Sequence, residues 1–230
     1  MLLIRLSGHS CAGKTRLVIA LGQQGLTCPK VLRYTSRAPR SGETDGEDYF
    51  FRTREYIASL PEKDFLVGPV RNMMQAFDLH HIETLLRSNP VVIIEIYPAL
   101  WPMLISRMSE RLGNDLKTAS VFLTAVDPRQ IKLFRTKEEK AGYIASEVYK
   151  MLLFRNKDHV EDIKIRACSA AVEILEALSP AGRKQYEKII FSAPEGPDGQ
   201  DEWTREYEPA GQAKTALEDF ITMIRLSAGP

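Results

Sequence analysis

Leu2-Leu3-Ile4-Arg5-Leu6-Ser7-Gly8-His9-Ser10-Cys11-Ala12-Gly13-Lys14-Thr15 decides the fold of this chain. A mostly apolar run stops at Gly8, and Gly8 to Thr15 fits G-x-x-x-x-G-K-[ST], the spacing of a phosphate-binding P-loop. Gly8 and Gly13 leave room for main-chain N–H groups to turn toward phosphate oxygens. Lys14 sets an ammonium between the outer phosphates of a nucleoside triphosphate, and Thr15 offers a hydroxyl to Mg²⁺. A helix expected over residues 14–23 points its positive end at the same oxygens. The expected triphosphate site is Gly8, Ser10, Ala12, Gly13, Lys14 and Thr15.

Composition bounds the partners. The 230 residues are 44% hydrophobic and 27% charged, which suits a globular chain able to bury a core. A formal net charge of +1 gives no bulk argument for a nucleic-acid or membrane-surface partner, so phosphate-binding cations must be local. Cys11, Cys28 and Cys168 form an odd, sparse set without C-x-x-C spacing, which argues against a disulfide framework or a zinc site and for a reducing compartment. Cys11 lies inside the loop, where it serves as filler or as a redox-sensitive thiol. No apolar run approaches membrane-spanning length, and Met1 to Leu6 is too short for a signal peptide, so a cytoplasmic protein is expected.

The second informative stretch is Thr35-Ser36-Arg37-Ala38-Pro39-Arg40-Ser41-Gly42-Glu43-Thr44-Asp45-Gly46-Glu47-Asp48-Tyr49-Phe50-Phe51. Two arginines split by a stiffening proline present guanidinium forks suited to a phosphate dianion, and Tyr49 adds a neutral hydroxyl. A solvated basic turn before a strand is the plainer alternative. The stretch resembles the guanylate kinase family, whose segment T-T-R-x-P-R-x-G-E-x-x-G-x-x-Y-x-F it matches with Ser36 as the one mild change. The resemblance implies that Ser36, Arg37, Arg40 and Tyr49 hold the acceptor's phosphate, that Glu43 orients the arginines, and that Arg37 acts on the transferring group.

Beyond this segment the resemblance thins. A strand is expected over residues 30–34, a short helix over 54–60, and another strand over 64–67. Val67 takes the place of the family's guanine-reading glutamate. Met73-Met74-Gln75-Ala76-Phe77 lacks the family's tyrosine-glycine pair, and Asp78 takes the place of a small hydroxyl residue at the acceptor. Met73, Met74 and Phe77 either pack or line a pocket for another base. Residues 78–87 have helical spacing, and 91–96 read as a strand buried on both faces. Glu95 at its end is costly to bury without purpose; it matches the first acid of the family's Asp-x-Asp pair, which implies a place just outside the direct ligands of Mg²⁺. Tyr97 replaces the second acid, a further loss on the base-reading side. Helices follow over 98–111 and 158–178, strands over 120–124 and 187–191, and a closing helix over 213–224; Asp127 caps a helix begun by Pro128.

These readings give an α/β fold: a parallel-sheet P-loop kinase core (1–32, 91–128, 157–230) with helices on both faces, an acceptor-binding insert (33–90) and a lid (129–156). A flexible acidic insertion is expected over 192–211. In the lid Arg135 matches a catalytic arginine, with Lys150 and Arg155 as further candidates; a solvated helix pair is the plainer alternative. The resemblance implies transfer of the ATP γ-phosphoryl to a (deoxy)nucleoside monophosphate, GMP or dGMP first, with Mg²⁺ as cofactor and a homodimer left open. Three other readings remain: a same-fold kinase for a modified or pyrimidine nucleotide or a sugar phosphate, a non-catalytic guanylate-kinase-like module, and a nucleotide-sensing regulator.

Overall fold

The computed structural model describes residues 1–40, 42–70, 72–155, 160–193 and 209–228. In chain order come β1 (Leu2–Gly8), α1 (Lys14–Gln23), β2 (Tyr34–Thr35), β3 (Phe50–Phe51), α2 (Arg54–Ala58), β4 (Phe65–Val70), β5 (Met73–Asp78), α3 (Leu79–Ser88) and β6 (Val91–Ile94). Then follow α4 (Trp101–Leu112), β7 (Lys117–Thr124), α5 (Pro128–Ile131), α6 (Lys137–Arg155), α7 (Val160–Leu178), α8 (Pro180–Arg183), β8 (Lys188–Phe191) and α9 (Gly211–Ala228). One sheet has the order β6-β1-β7-β8, the other β3-β2-β5-β4. β1 pairs β6 in parallel from Leu2↔Val91 to Arg5↔Ile94, and β7 pairs β8 in parallel. Parallel strands covered on both faces need continuous apolar runs, which Val91-Val92-Ile93-Ile94 supplies with all four residues buried.

The chain forms two compact units, Met1–Arg5 with Cys28–Thr118 and Leu6–Thr27 with Ala119–Pro230. In the first, Leu66, Phe77, Ile82, Val92, Leu104 and Met108 share a core between the β4–β5 hairpin, β6, α3 and α4. Arg5 is buried in β1 of this unit, with its guanidinium 5.4 Å from the Trp101 ring centroid. In the second, Ile144, Val148 and Leu152 of α6 pack on Ile163, Ala167, Ala170 and Ile174 of α7. Small alanines at the α7 face let the two helices approach closely. Among the described residues no helix is long and apolar enough to cross a membrane.

Several local expectations shift. The strand expected over residues 30–34 is a single bridge, Lys30 to Ile93, after which the chain leaves β6 and pairs with β5 as Tyr34–Thr35. Val31 N donates to Ile93 O (2.9 Å) and Ile93 N to Pro29 O (3.0 Å), so two partners divide what reads as one strand. Met73–Asp78 is a strand, β5, in antiparallel register with β4 from Phe65↔Asp78 to Val70↔Met73. The helix expected over 98–111 begins as a 3₁₀ turn, Pro98–Leu100. Residues 194–208 of the acidic insertion, and Asp158 of the long helix, lie outside the described residues. Asp127 caps α5 as expected, accepting from Arg129 N.

The junction of β1 with the phosphate loop is built from close contacts. Gly8 has φ +149°, and a Cβ there would overlap the Leu123 carbonyl oxygen on β7. His9 is fully buried; Ala125 N donates to its Nε2 (3.0 Å), so its proton sits on Nδ1, which donates to Ser10 O (2.6 Å). Burial first, and then the Lys14 ammonium, pull its pKa from 6.5 down to about 3.

Two outcomes follow. Gly8→Ala should lower unfolding free energy by about 1–3 kcal/mol in urea titrations, and an unchanged midpoint would contradict the close approach. Because His9 stays neutral in the folded chain and the unfolded chain binds a proton below pH 6.5, its contribution is complete above pH 6.5 and is lost as pH falls toward 3. Urea unfolding at pH 7, 6 and 5 should show a loss approaching about 1.4 kcal/mol per pH unit below 6.5. His9→Gln should flatten that slope.

Candidate functional site

The second unit carries the phosphate loop. Gly13, at φ +83°, ends the loop directly before α1, and its carbonyl accepts from Leu17 N (2.9 Å). Lys14 Nζ donates to Gly8 O (2.7 Å) and His9 O (3.0 Å), so its ammonium crosses back over the mouth of the loop. Cys11 takes φ +66°, the left-handed region, and packs against the α6–α7 core. Ala12 is buried, and its carbonyl accepts from Ser192 Oγ (2.8 Å) just past β8. Thr15 stands in the first turn of α1.

The structure adds a residue to this loop. Arg166 of α7 donates through Nε to Ser10 Oγ (3.1 Å), which brings a guanidinium to the expected triphosphate site. The sequence reading passes over it because it sits in a helix judged by its apolar spacing; an arginine flanked by buried Ile163, Ala167 and Ala170 is the available signal. Arg135 lies on the exposed link between α5 and α6, where its main-chain N donates to Glu139 (2.9 Å). Lys150 pairs with Glu147 on its own helix (2.7 Å), and the Arg155 side chain lies outside the described residues.

The first unit carries the acceptor-like segment. Arg37 donates to both oxygens of Glu43, Nη1 to Oε2 (2.6 Å) and Nη2 to Oε1 (2.7 Å). Arg40 N also donates to Glu43 Oε2 (2.8 Å), and Glu43 N to Arg40 O (3.0 Å), so one carboxylate ties both arginines to a tight turn. Partial burial works to raise the Glu43 carboxyl, but its bonds to Arg37 and Arg40 N hold it below the usual range. Ser36 Oγ accepts from Met74 N (2.8 Å), so this hydroxyl fastens the segment to β5.

Tyr49 lies between cations. The Arg33 and Arg37 guanidinium carbons each stand 4.9 Å from its ring centroid, and Arg33 Nη2 donates to its hydroxyl (3.2 Å). Burial works to raise the phenol, and Arg33, with Lys30 and Arg37, outweighs it, leaving a pKa below the ordinary tyrosine value. Arg33, unremarked in the sequence reading, also donates through Nη1 to the Glu95 carbonyl. The Glu95 carboxylate pairs with Lys30 (3.0 Å) and Arg33 (3.8 Å). Asp78 caps α3, accepting from His81 N (2.9 Å), and stands opposite Phe65. Val67 pairs with Ala76, which leaves no polar side chain at that rung, and Tyr97 is exposed. Among the described residues no three His, Cys, Asp or Glu side chains cluster as metal ligands.

No protein-family model matches the chain. It is 48% identical over 62 residues to the guanylate kinase of Nitrosospira multiformis, covering 26% of this chain and 30% of that protein. It is 41% identical over 66 residues to that of Halalkalibacterium halodurans, covering 29% and 32%. These two matches span about a third of the relatives' own length. A longer match, 27% identical over 166 residues, is to the guanylate kinase of Caldanaerobacter subterraneus and covers 64% of this chain and 77% of that protein. The crystal structure of guanylate kinase from Anaplasma phagocytophilum aligns with a TM-score of 0.50 at 13% identity, over 100% of this chain and 87% of that one, a likeness of fold. The chain is thus similar in sequence to guanylate kinases over part of its length, and its mixed α/β fold is like theirs.

Proposed function

We propose that this protein is an ATP-dependent nucleoside monophosphate kinase of the guanylate kinase type. The observation that carries the reading is a complete phosphate loop in the same chain as the Arg37–Glu43–Arg40 clamp. The loop amides and Lys14 take the donor's phosphates; Arg37, Arg40 and Tyr49 take the acceptor's. Thr15, at the positive end of α1, fits the Mg²⁺ that ATP carries, and when bound that ion supplies charge neutralisation between the outer phosphates. Arg166, and Arg135 from the exposed link, supply positive charge to the phosphoryl group in flight. No covalent intermediate is needed: alignment of the two phosphates and exclusion of water do the work. In this reading the enzyme works in a reducing cytoplasm, which suits Cys11, Cys28 and Cys168 as thiols outside any disulfide.

GMP and dGMP are the first acceptors to test. The apolar Val67–Ala76 rung favours a second reading, a same-fold kinase whose acceptor carries another base or none. A coupled assay of ATP turnover against a panel of nucleoside monophosphates and sugar phosphates separates them. Transfer to GMP or dGMP alone supports the first, and transfer to another acceptor the second. ATP hydrolysis without any acceptor, or binding without transfer, would overturn both. Lys14→Ala should lower kcat at least about 100-fold, and Arg40→Ala should raise the acceptor KM about tenfold at unchanged KM for ATP.

A further inference from the structure

We infer that Arg33, steadied by Glu95, is a third guanidinium gripping the acceptor's phosphate, so that Glu95 serves the acceptor rather than the metal. This rests on the kinase reading above and extends it to residues outside the Arg37–Tyr49 segment. Arg33 is held at several points: Nη1 on the Glu95 carbonyl, Nη2 on the Tyr49 hydroxyl, and the Glu95 carboxylate 3.8 Å away. Its side chain is only 12% exposed, so the fork has little freedom to lose on binding.

The Tyr49 hydroxyl supplies the argument for an anion. Its oxygen accepts from Arg33, and no described residue accepts its proton. A half-buried phenol that receives a cation's N–H and keeps its own O–H to give is set to donate to an anionic oxygen. Lys30 and Arg33 share Glu95, and Arg37 and Arg40 share Glu43, so the hydroxyl stands among basic side chains. The Arg33 and Arg37 guanidinium carbons each lie 4.9 Å from the Tyr49 ring centroid, so both border the ring that carries this hydroxyl. Glu95 touches no phosphate in this scheme: it is a positioning residue for Arg33 and Lys30.

The test uses the full chain, with GMP, guanosine and inorganic phosphate as calorimetric probes. Arg33→Ala should weaken GMP and phosphate binding about 10- to 100-fold, leave the weaker guanosine binding unmoved, and leave the Kd for ATP within about twofold. Arg33→Lys keeps the charge and much of the packing but loses the fork, and should weaken GMP about tenfold. Unchanged GMP and phosphate affinity in a folded Arg33 variant would overturn the inference. Glu95→Gln should raise the acceptor KM several-fold while the Mg²⁺ activation midpoint stays fixed; a shifted midpoint at unchanged acceptor KM would overturn the part given to Glu95. If the wild type binds GMP and phosphate through Arg33 but transfers nothing, the kinase reading falls and the anion site stands. Normal transfer with wild-type acceptor KM in Arg33→Lys removes Arg33 alone.

Discussion

A neutral imidazole, pinned between two main-chain groups, holds the phosphate loop in shape. His9 accepts from the amide just past β7 and donates to its neighbour's carbonyl, while Gly8 lies too close to β7 for any side chain. Ser192, just past β8, fastens Ala12 from another direction. Donors aimed before the ligand arrives cost no reorganisation when charge moves, which is why an anion cradle is built from backbone held by buried contacts. Protonating His9 removes its acceptor nitrogen, so the same imidazole that shapes the loop must be kept uncharged by burial.

The acceptor-like segment solves the opposite problem, keeping several cations close together without an anion. Glu43 binds both forks of the turn, and Glu95 binds the pair beside Tyr49. Each carboxylate is shared between two cations, which holds the guanidinium planes. An overall charge near neutrality conceals this local concentration of basic residues.

Much of the framework is legible from local pattern. β1 and α1 fall where the apolar run and the glycine spacing put them, because both are set by residues adjacent in sequence. β2 is not legible, since the chain there divides its pairing between β6 and β5, both distant in sequence. The site follows the same rule. Glu43 lies six residues from Arg37, within one motif. Arg166 meets Ser10 across 156 residues and Arg33 meets Glu95 across 62, and no spacing rule links such pairs. Asp78, placed at the acceptor by the resemblance, makes a local contact in the structure: its side chain closes the start of α3.

Cys11 has a wider meaning than its place in a glycine-punctuated loop suggests. A non-glycine residue in the left-handed region costs about 1–2 kcal/mol, and here its side chain packs against the core that α6 and α7 share. Reshaping the turn must therefore move a side chain seated on the α6–α7 core, which ties the backbone of the loop to the packing of those two helices.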